Sequence, residues 1–275
     1  MSVTVRIKQK SLFKKKLNRE DIIKLLNLSY GICDENYRLI CGEIADHTLI
    51  YDENKLARGI DFSMEGTDVV LYLSLPTSFS EIKLFYNAIE IICKELGINK
   101  YIRDDANVSL QDNDKFIIYD EKASIDALED MEEKLKKDKY ERFELFGVYN
   151  PISIGMKEIK QIDSNLDNLE TYLNKIQSMD VYYAAPRVYK VKDKLVGIYV
   201  IGTNIPSVVP IKPYIILNQI EGIEEWYVML KQESTIQYDD FINNVDTSKY
   251  YDFNHVIVTL SDNQVDELLN KYIVD

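Results

Sequence analysis

The fold is decided by residues 68–97, DVVLYLSLPTSFSEIKLFYNAIEIICKELG, in which a strand pattern runs directly into a helix pattern. The apolar residues at 68–75 predict a β-strand. Ser78 and Glu81 match the S-x-x-E pattern of a capping box, in which each side chain accepts a hydrogen bond from the backbone N–H of the other residue. Gly97 is suited to end the helix, because glycine adopts the left-handed conformation of a C-cap at low cost. These residues therefore predict a strand followed by a capped amphipathic helix.

The same order of elements recurs elsewhere in the chain. Near the C-terminus, HVIVTL at 255–260 predicts a strand, and Ser261 and Gln264 repeat the capping box. At the N-terminus, the alternation of apolar and polar residues at 2–8 predicts a half-buried strand, and Asn18 is placed to cap the helix that follows. Each half of the chain is therefore predicted to contain strands and a capped helix.

Hairpin patterns lie in the second half of the chain. The segments 188–191 and 195–202 predict one hairpin, and the segments 214–219 and 225–231 predict another. Ser164 is placed to cap a helix between these hairpins and the first half. Because hairpins pair antiparallel strands, we expect the α+β fold class, with two similar halves of mostly antiparallel sheet and flanking helices.

A highly charged segment lies between the two halves. In DALEDMEEKLKKDKYER at 126–142, four acidic residues each stand four positions before a basic residue, which is the favourable orientation on a helix. The few apolar residues in this segment predict a surface helix that joins the halves. We therefore expect an N-terminal α+β half at residues 1–122, a charged connector helix at 123–145 and a C-terminal α+β half at 146–275.

The composition limits the classes of partner. Among 275 residues, 46 acidic residues outnumber 33 basic ones, and the formal net charge of −13 repels nucleic acid. Residues 1–19 carry seven basic residues, but they precede a charged amphipathic segment rather than the apolar run of about 7–15 residues in an export signal. No segment approaches the roughly 18–20 apolar residues that span a membrane. Three cysteines cannot all pair within one chain and are too few for a disulfide scaffold, which favours a reducing compartment. We therefore expect a cytoplasmic protein that has no nucleic-acid or membrane partner.

The sequence contains few of the residues that neutral-pH chemistry commonly uses. It has two histidines: no catalytic signature joins His47 to the nearby Cys41, and His255 begins an apolar strand, where we expect a cap or surface residue. The cysteines and histidines lack the spacing of a zinc site. Neither a dinucleotide-binding glycine motif nor a P-loop nor a G-x-S-x-G motif is present. We therefore expect no cofactor and no metal site, and we assign no catalytic residue.

Aromatic residues are concentrated in the second half of the chain, which contains many of the twenty tyrosines and the one tryptophan. Tyrosine, tryptophan and arginine are enriched at protein interfaces, since they bury a large area and keep a polar end. The partner-binding candidates in this region are Tyr182, Tyr183, Arg187 and Trp226. Ordinary sheet propensity is the alternative explanation for the tyrosines.

Three motifs in the first half occur together: RGIDF at 58–62, LSLP at 73–76 and the capped helix that follows. Together with VSLQD at 108–112, these motifs resemble a bacterial family of similar length that is catalogued as a domain of unknown function. The likeness extends through YYAAPRVYKV at 182–191 and PYIILNQI at 213–220. The family has no assigned activity, so the resemblance implies no catalytic residue.

Two roles stay open for the RGIDF motif. Arg58 and Asp61 either pair structurally around a turn at Gly59 or contribute to binding.

Our first functional hypothesis is a non-enzymatic protein that binds another protein, as an immunity-like or regulatory factor. The alternative is a hydrolase-type enzyme of unrecognised class that uses carboxylates near the RGIDF turn, which a cavity uniting Arg58 and Asp61 with other titratable groups would favour.

Overall fold

The computed structural model describes residues 1–9, 16–216, 220–231 and 234–274, and part of the basic N-terminal stretch, 10–15, lies outside them. The chain forms two compact units, Met1–Ser178 and Met179–Asp275. Helices and largely antiparallel sheets make up both units, which confirms the α+β class. Within the described part of the chain, no helix is both long enough and apolar enough to cross a membrane.

The first unit is built on an antiparallel sheet of eight strands. The strands are β1 (Ser2–Ile7), β2 (Ser29–Cys33), β3 (Leu39–Cys41), β4 (His47–Tyr51), β5 (Ile60–Glu65), β6 (Asp68–Ser74), β7 (Lys100–Arg103) and β8 (Ala106–Ser109). Their order across the sheet is β3-β2-β4-β5-β6-β1-β7-β8. The central position of β6 agrees with its nearly continuous apolar sequence.

Apart from a short 3₁₀ helix at Leu110–Asp112, five α-helices and a hairpin complete the described part of the first unit. These elements are α1 (Arg19–Leu26), α2 (Phe79–Leu96), α3 (Asn113–Lys136), α4 (Met156–Ile162), α5 (Leu166–Gln177), β9 (Phe143–Phe146) and β10 (Pro151–Ile154). The long helix α2 packs against β6 and contacts α1, α3 and α5. The core of the unit therefore lies between α2 and one face of the sheet.

Strand β1 shows how the sequence assigns the two faces of the sheet. Val3, Val5 and Ile7 are buried, whereas Thr4 and Arg6 between them are not. Successive side chains of a strand point to opposite faces, so the apolar set faces the core and the polar set faces the other side. This second face carries the candidate site.

The start of α2 differs from the predicted capping box in one hydrogen bond. Ser78 caps the helix and accepts from the backbone N–H of Glu81, and Gly97 ends the helix in the left-handed conformation, as predicted. The Glu81 carboxylate, however, accepts from the backbone N–H groups of Arg58 and Gly59 instead of that of Ser78. The helix end is thus connected to the RGIDF motif.

The compact units of the structure differ from the expected halves. Helix α3 begins at Asn113 rather than near residue 123, and it packs within the first unit against α2 and α4. Residues up to Ser178 belong to the same unit, because Asn174 accepts a hydrogen bond from the backbone of Leu56 and Gln177 donates one to the carbonyl of Ala57. These polar contacts join segments that are distant in sequence, so no local sequence pattern predicts them. The similarity of the two halves stays a prediction.

The second unit contains two small sheets. Its elements are β11 (Tyr182–Tyr183), β12 (Arg187–Val191), β13 (Lys194–Val200), β14 (Ser207–Pro210), β15 (Ile223–Lys231), β16 (Ser234–Gln237), α6 (Tyr238–Ile242), β17 (His255–Val258), α7 (Asp262–Tyr272) and β18 (Ile273–Val274). The sheet orders are β11-β14-β17 and β12-β13-β15-β16-β18, in which the β11–β14 and β13–β15 pairs are parallel. The predicted hairpin of β12 with β13 and the capping box of α7 are confirmed.

The second predicted hairpin is wrong in the part that the structure describes. Residues 214–216 form no strand, and 217–219 lie outside the described residues. The hydroxyl of Tyr199 accepts from the Tyr214 N–H and donates to the Tyr214 carbonyl, so a side chain takes both backbone groups that a ladder would use. The cap of α5 also differs by one residue: Asn165 accepts from the backbone N–H groups of Asp167 and Asn168, whereas Ser164, the predicted cap, lies between α4 and α5 with a φ of 50°.

Candidate functional site

A cavity of about 470 Å³ lies on the polar face of the large sheet in the first unit. We call it the RGIDF cavity, because Arg58, Gly59 and Asp61 of that motif line it. The strand register places Leu49, Asp61, Tyr72 and Thr4 side by side on β4, β5, β6 and β1, where they form its floor. The remaining lining residues include Cys33, Tyr37, His47, Ser63, Val70 and Phe146.

The RGIDF turn is positioned by Glu81. Gly59 has a φ of 77°, and a Cβ at this position would lie 2.7 Å from the side chain of Leu49, so the turn requires glycine. The buried Glu81 carboxylate accepts from the Gly59 N–H at 2.6 Å, from the Arg58 N–H at 3.0 Å and from the Thr77 hydroxyl. Burial raises the pKa of Glu81, although these hydrogen bonds favour the carboxylate. The turn is therefore fixed from the side of helix α2.

Arg58 presents a cation to the cavity. Its Nε donates to the carbonyl of Phe146 and its Nη1 to the carbonyl of Pro76, each at 3.2 Å. Loss of hydration lowers the pKa of Arg58 to about 10, against the attraction of Glu81, so the guanidinium stays charged at neutral pH. Among the described residues, no carboxylate forms an ion pair with Arg58. The structural Arg58–Asp61 pair that the sequence left open is therefore absent from the described ion pairs.

Asp61 is engaged by a histidine of the neighbouring strand. The Nδ1 atom of His47 lies 3.0 Å and 3.3 Å from the two carboxylate oxygens of Asp61, and the imidazole is largely exposed at the rim. Cys41 contacts the hydroxyl of Tyr51 at 3.7 Å, so the two residues of the considered thiol–imidazole pair have other partners. Burial and the charge of Asp61 raise the pKa of Cys33, which keeps this thiol protonated at neutral pH.

Two aromatic rings form the apolar wall of the cavity. The ring centroids of Tyr37 and Phe146 are 4.4 Å apart, with an interplanar angle of 39°. Tyr37 belongs to the turn between β2 and β3, and Phe146 ends β9, which pairs with β10 far from the RGIDF motif in sequence. Sequence patterns could not reveal this pairing, because the two rings belong to segments with no common periodicity.

The remaining candidate residues lie in the second unit and do not form one surface. Tyr182 is exposed, but Tyr183 is buried and its hydroxyl lies 3.1 Å from Nε2 of His255. Arg187 is paired through Ile198 with Tyr227, the residue after Trp226. Since neighbouring residues of a strand point to opposite faces, Arg187 and Trp226 lie on opposite faces of their sheet. A role of these residues in partner binding stays a prediction.

His255 is buried rather than a cap or surface residue. Its Nδ1 lies 2.8 Å from Asp252, and its Nε2 lies 3.1 Å from the Tyr183 hydroxyl and 3.2 Å from the Tyr214 hydroxyl. The expectation from the strand position was therefore wrong, because polar partners from three segments satisfy the imidazole in the interior. No metal-binding group of three or more His, Cys, Asp or Glu side chains occurs in the part of the chain that the structure describes.

The fold and the site define an α+β protein of two units, of which the first carries a polar cavity, lined by Arg58 and Asp61, on one face of an antiparallel sheet. The family model described as a domain of unknown function, DUF4299, matches residues 2–268. The chain belongs to this family, which confirms the resemblance seen in the RGIDF and LSLP motifs. No curated protein and no solved structure matches the chain.

Proposed function

We propose that the protein binds a small organic ligand in the RGIDF cavity. The observation that carries this proposal is the cavity itself, in which Arg58, Asp61 and Tyr72 converge beside an aromatic wall. Its volume of about 470 Å³ falls within the range of roughly 300–1,000 Å³ that small-molecule sites occupy. Ligand sites combine apolar walls with a few placed polar groups in the same way.

The proposal is tested by screening a library of small metabolites for thermal stabilisation of the full chain. A ligand at one hundred times its Kd is expected to stabilise the protein by about 2.7 kcal/mol. In a Cys41→Ser variant, the same ligand is expected to slow alkylation of Cys33, which lines the cavity. The matched control is a Cys33→Ser variant, in which alkylation of Cys41 keeps its rate. Stabilising ligands that leave the reaction of Cys33 unchanged would contradict the proposal.

The enzyme hypothesis receives less support from the same cavity. The cavity unites Arg58 and Asp61 with His47, as that hypothesis requires. However, the raised pKa of Cys33 disfavours a thiolate nucleophile. Ser63 faces His47 across β4 and β5, but no hydrogen bond joins the two side chains among those of the described residues. We therefore propose binding rather than hydrolysis as the function of the cavity.

A second candidate function is binding of another protein, in an immunity-like or regulatory role. It is supported by β12, the outer strand of its sheet, which exposes Arg187, Tyr189 and Val191. An open strand edge accepts a strand of a partner, and a lysine placed there opposes such pairing. A Tyr189→Lys variant is expected to lose a partner protein that the wild-type chain captures. The control variant Ile118→Lys, changed at an exposed position of α3, is expected to keep that partner. If both variants capture the partner equally, the β12 edge is not the binding surface.

We also propose that the protein is bacterial and lies in the cytoplasm. Cys33, Cys41 and Cys93 are free thiols in the structure, which is the usual state in a reducing compartment. The excess of acidic residues supports a partner other than nucleic acid.

A further inference from the structure

We infer that the ligand of the RGIDF cavity is an organic anion, whose acidic group lies against Arg58 and whose apolar body lies against Tyr37 and Phe146. This inference rests on the proposed function and adds the charge, shape and orientation of the ligand. It follows from the positive charge of Arg58, from the hydrogen bonds of its guanidinium and from the position of the aromatic wall.

The positive charge of Arg58 favours an anion at its end of the cavity. The two acidic residues of the lining have other partners: Asp61 contacts His47, and Glu65 forms an ion pair with Arg6. The side-chain hydrogen bonds of Arg58 that the structure describes go to neutral carbonyls, and the buried Glu81 carboxylate attracts the guanidinium without forming a described ion pair with it. A positive charge with reduced access to water is stabilised most by an anion that enters the cavity. The acidic group of the ligand therefore belongs at Arg58.

The hydrogen bonds of Arg58 also orient its guanidinium. The carbonyls of Phe146 and Pro76 hold Nε and Nη1, so two of the three nitrogens are fixed in direction. Nη2 donates to no described residue, and it remains for a ligand oxygen. Charge-assisted hydrogen bonds from an arginine to a carboxylate or a phosphonate are stronger and more directional than neutral ones. The site is thus arranged for an oxyanion rather than for a neutral acceptor.

The apolar body of the ligand has a defined place next to this group. Phe146 contributes its carbonyl to Arg58 and its ring to the wall with Tyr37, so the cation and the wall are adjacent. Leu49 and Val70 add apolar surface to the floor of the cavity. A planar or aromatic body fills such a space well, because aromatic rings pack against one another in tilted or offset arrangements. The expected ligand class is an aromatic or similarly apolar monoacid.

Four probes with a common phenyl body separate charge from shape. These are phenylacetate, benzylphosphonate, the neutral phenylacetamide and the cationic 2-phenylethylammonium. We expect the wild-type protein to bind one or both anions about tenfold more tightly than the amide, in line with hydrogen bonds to charged groups, and to bind the cation least. The two anions distinguish a carboxylate from a phosphonate. Affinity is measured by calorimetric titration and by protection of Cys33 from alkylation in the Cys41→Ser background.

Variants of Arg58 test its role directly. Arg58→Met is expected to remove the preference for the anions while leaving binding of phenylacetamide nearly unchanged, and Arg58→Lys is expected to restore part of it. Lys100→Met removes an exposed positive charge that does not line the cavity, and it should leave all four affinities unchanged. If Arg58→Met does not fold, the charge series on the wild-type protein still decides the question.

The outcomes separate this inference from the proposed function. If the amide or the cation binds in the cavity and protects Cys33 as well as the anions do, the inference is overturned while the proposed function stands. If the anions bind without protecting Cys33, the inference fails, and the proposed function fails with it only if no stabilising ligand of the library protects Cys33. If a metabolite library yields cavity ligands but none of them is acidic, the inference likewise fails.

Discussion

Replacement of Asp120 by alanine is expected to lower the free energy of unfolding by about 3–5 kcal/mol, the usual loss when one partner of a buried ion pair is removed. Asp120 is fully buried in α3, where its carboxylate accepts from the guanidinium of Arg103 and, at 2.6 Å, from the hydroxyl of Tyr86. Arg103 lies over the ring of Phe116 and would be left without its buried counter-charge. Chemical unfolding followed by circular dichroism measures the loss.

The same helix provides the matched control. Asp126 forms an ion pair with Lys122 on the exposed side of α3, and its replacement by alanine is expected to leave stability nearly unchanged, because solvent screens the pair. The double variant Arg103→Met with Asp120→Leu should recover part of the loss, since apolar residues remove the unpaired charge. If Asp120→Ala costs no more than Asp126→Ala, the buried pair does not stabilise the first unit.

Replacement of Asp252 by alanine is the corresponding prediction for the second unit, with an expected loss of about 3 kcal/mol or more. One carboxylate oxygen of Asp252 accepts from the backbone N–H groups of Asn254 and His255, each at 2.9 Å, and lies 2.8 Å from Nδ1 of His255. Alanine leaves these buried donors unsatisfied, which costs about 1–3 kcal/mol for each group. Trp226, the one tryptophan, packs against the core of this unit, so its emission follows the unfolding locally.

Asp246 is the matched control for this substitution. Its carboxylate accepts from the backbone N–H of Ser248 at 2.9 Å in a similar turn, but the residue is exposed. Water replaces that lost acceptor, so Asp246→Ala should change the unfolding transition far less than Asp252→Ala does. Similar transitions for the two variants would show that burial of the Asp252 network does not determine the stability of the second unit.

Much of the local structure could be predicted from short patterns. The cap at Ser78, the end of α2 at Gly97 and the box at Ser261 depend on residues within one or two helical turns, and all three occur in the structure. The alternation along β1 similarly assigned its buried face. Predictions failed where a distant side chain competed for backbone groups, as Tyr199 does at Tyr214.

The candidate site could be predicted only in part. The RGIDF motif directed attention to Arg58 and Asp61, and both line the cavity. Their partners could not be deduced, because Phe146 reaches Arg58 from a hairpin far along the chain and His47 reaches Asp61 through strand register. Single residues that look ordinary in sequence become important when a sheet places them side by side.

By itself, the sequence determined the α+β class, the capped helices and the acidic character of the chain, because helix caps, periodicity and composition are properties of neighbouring or summed residues. Only the tertiary structure decided that Glu81 holds the RGIDF turn, that Arg58 has no described ion-pair partner and that His255 is buried. The physical reason is that the environment of a polar side chain depends on which distant groups satisfy it. In the RGIDF cavity, such groups take Nε and Nη1 of Arg58 and leave Nη2 without an acceptor among the described residues.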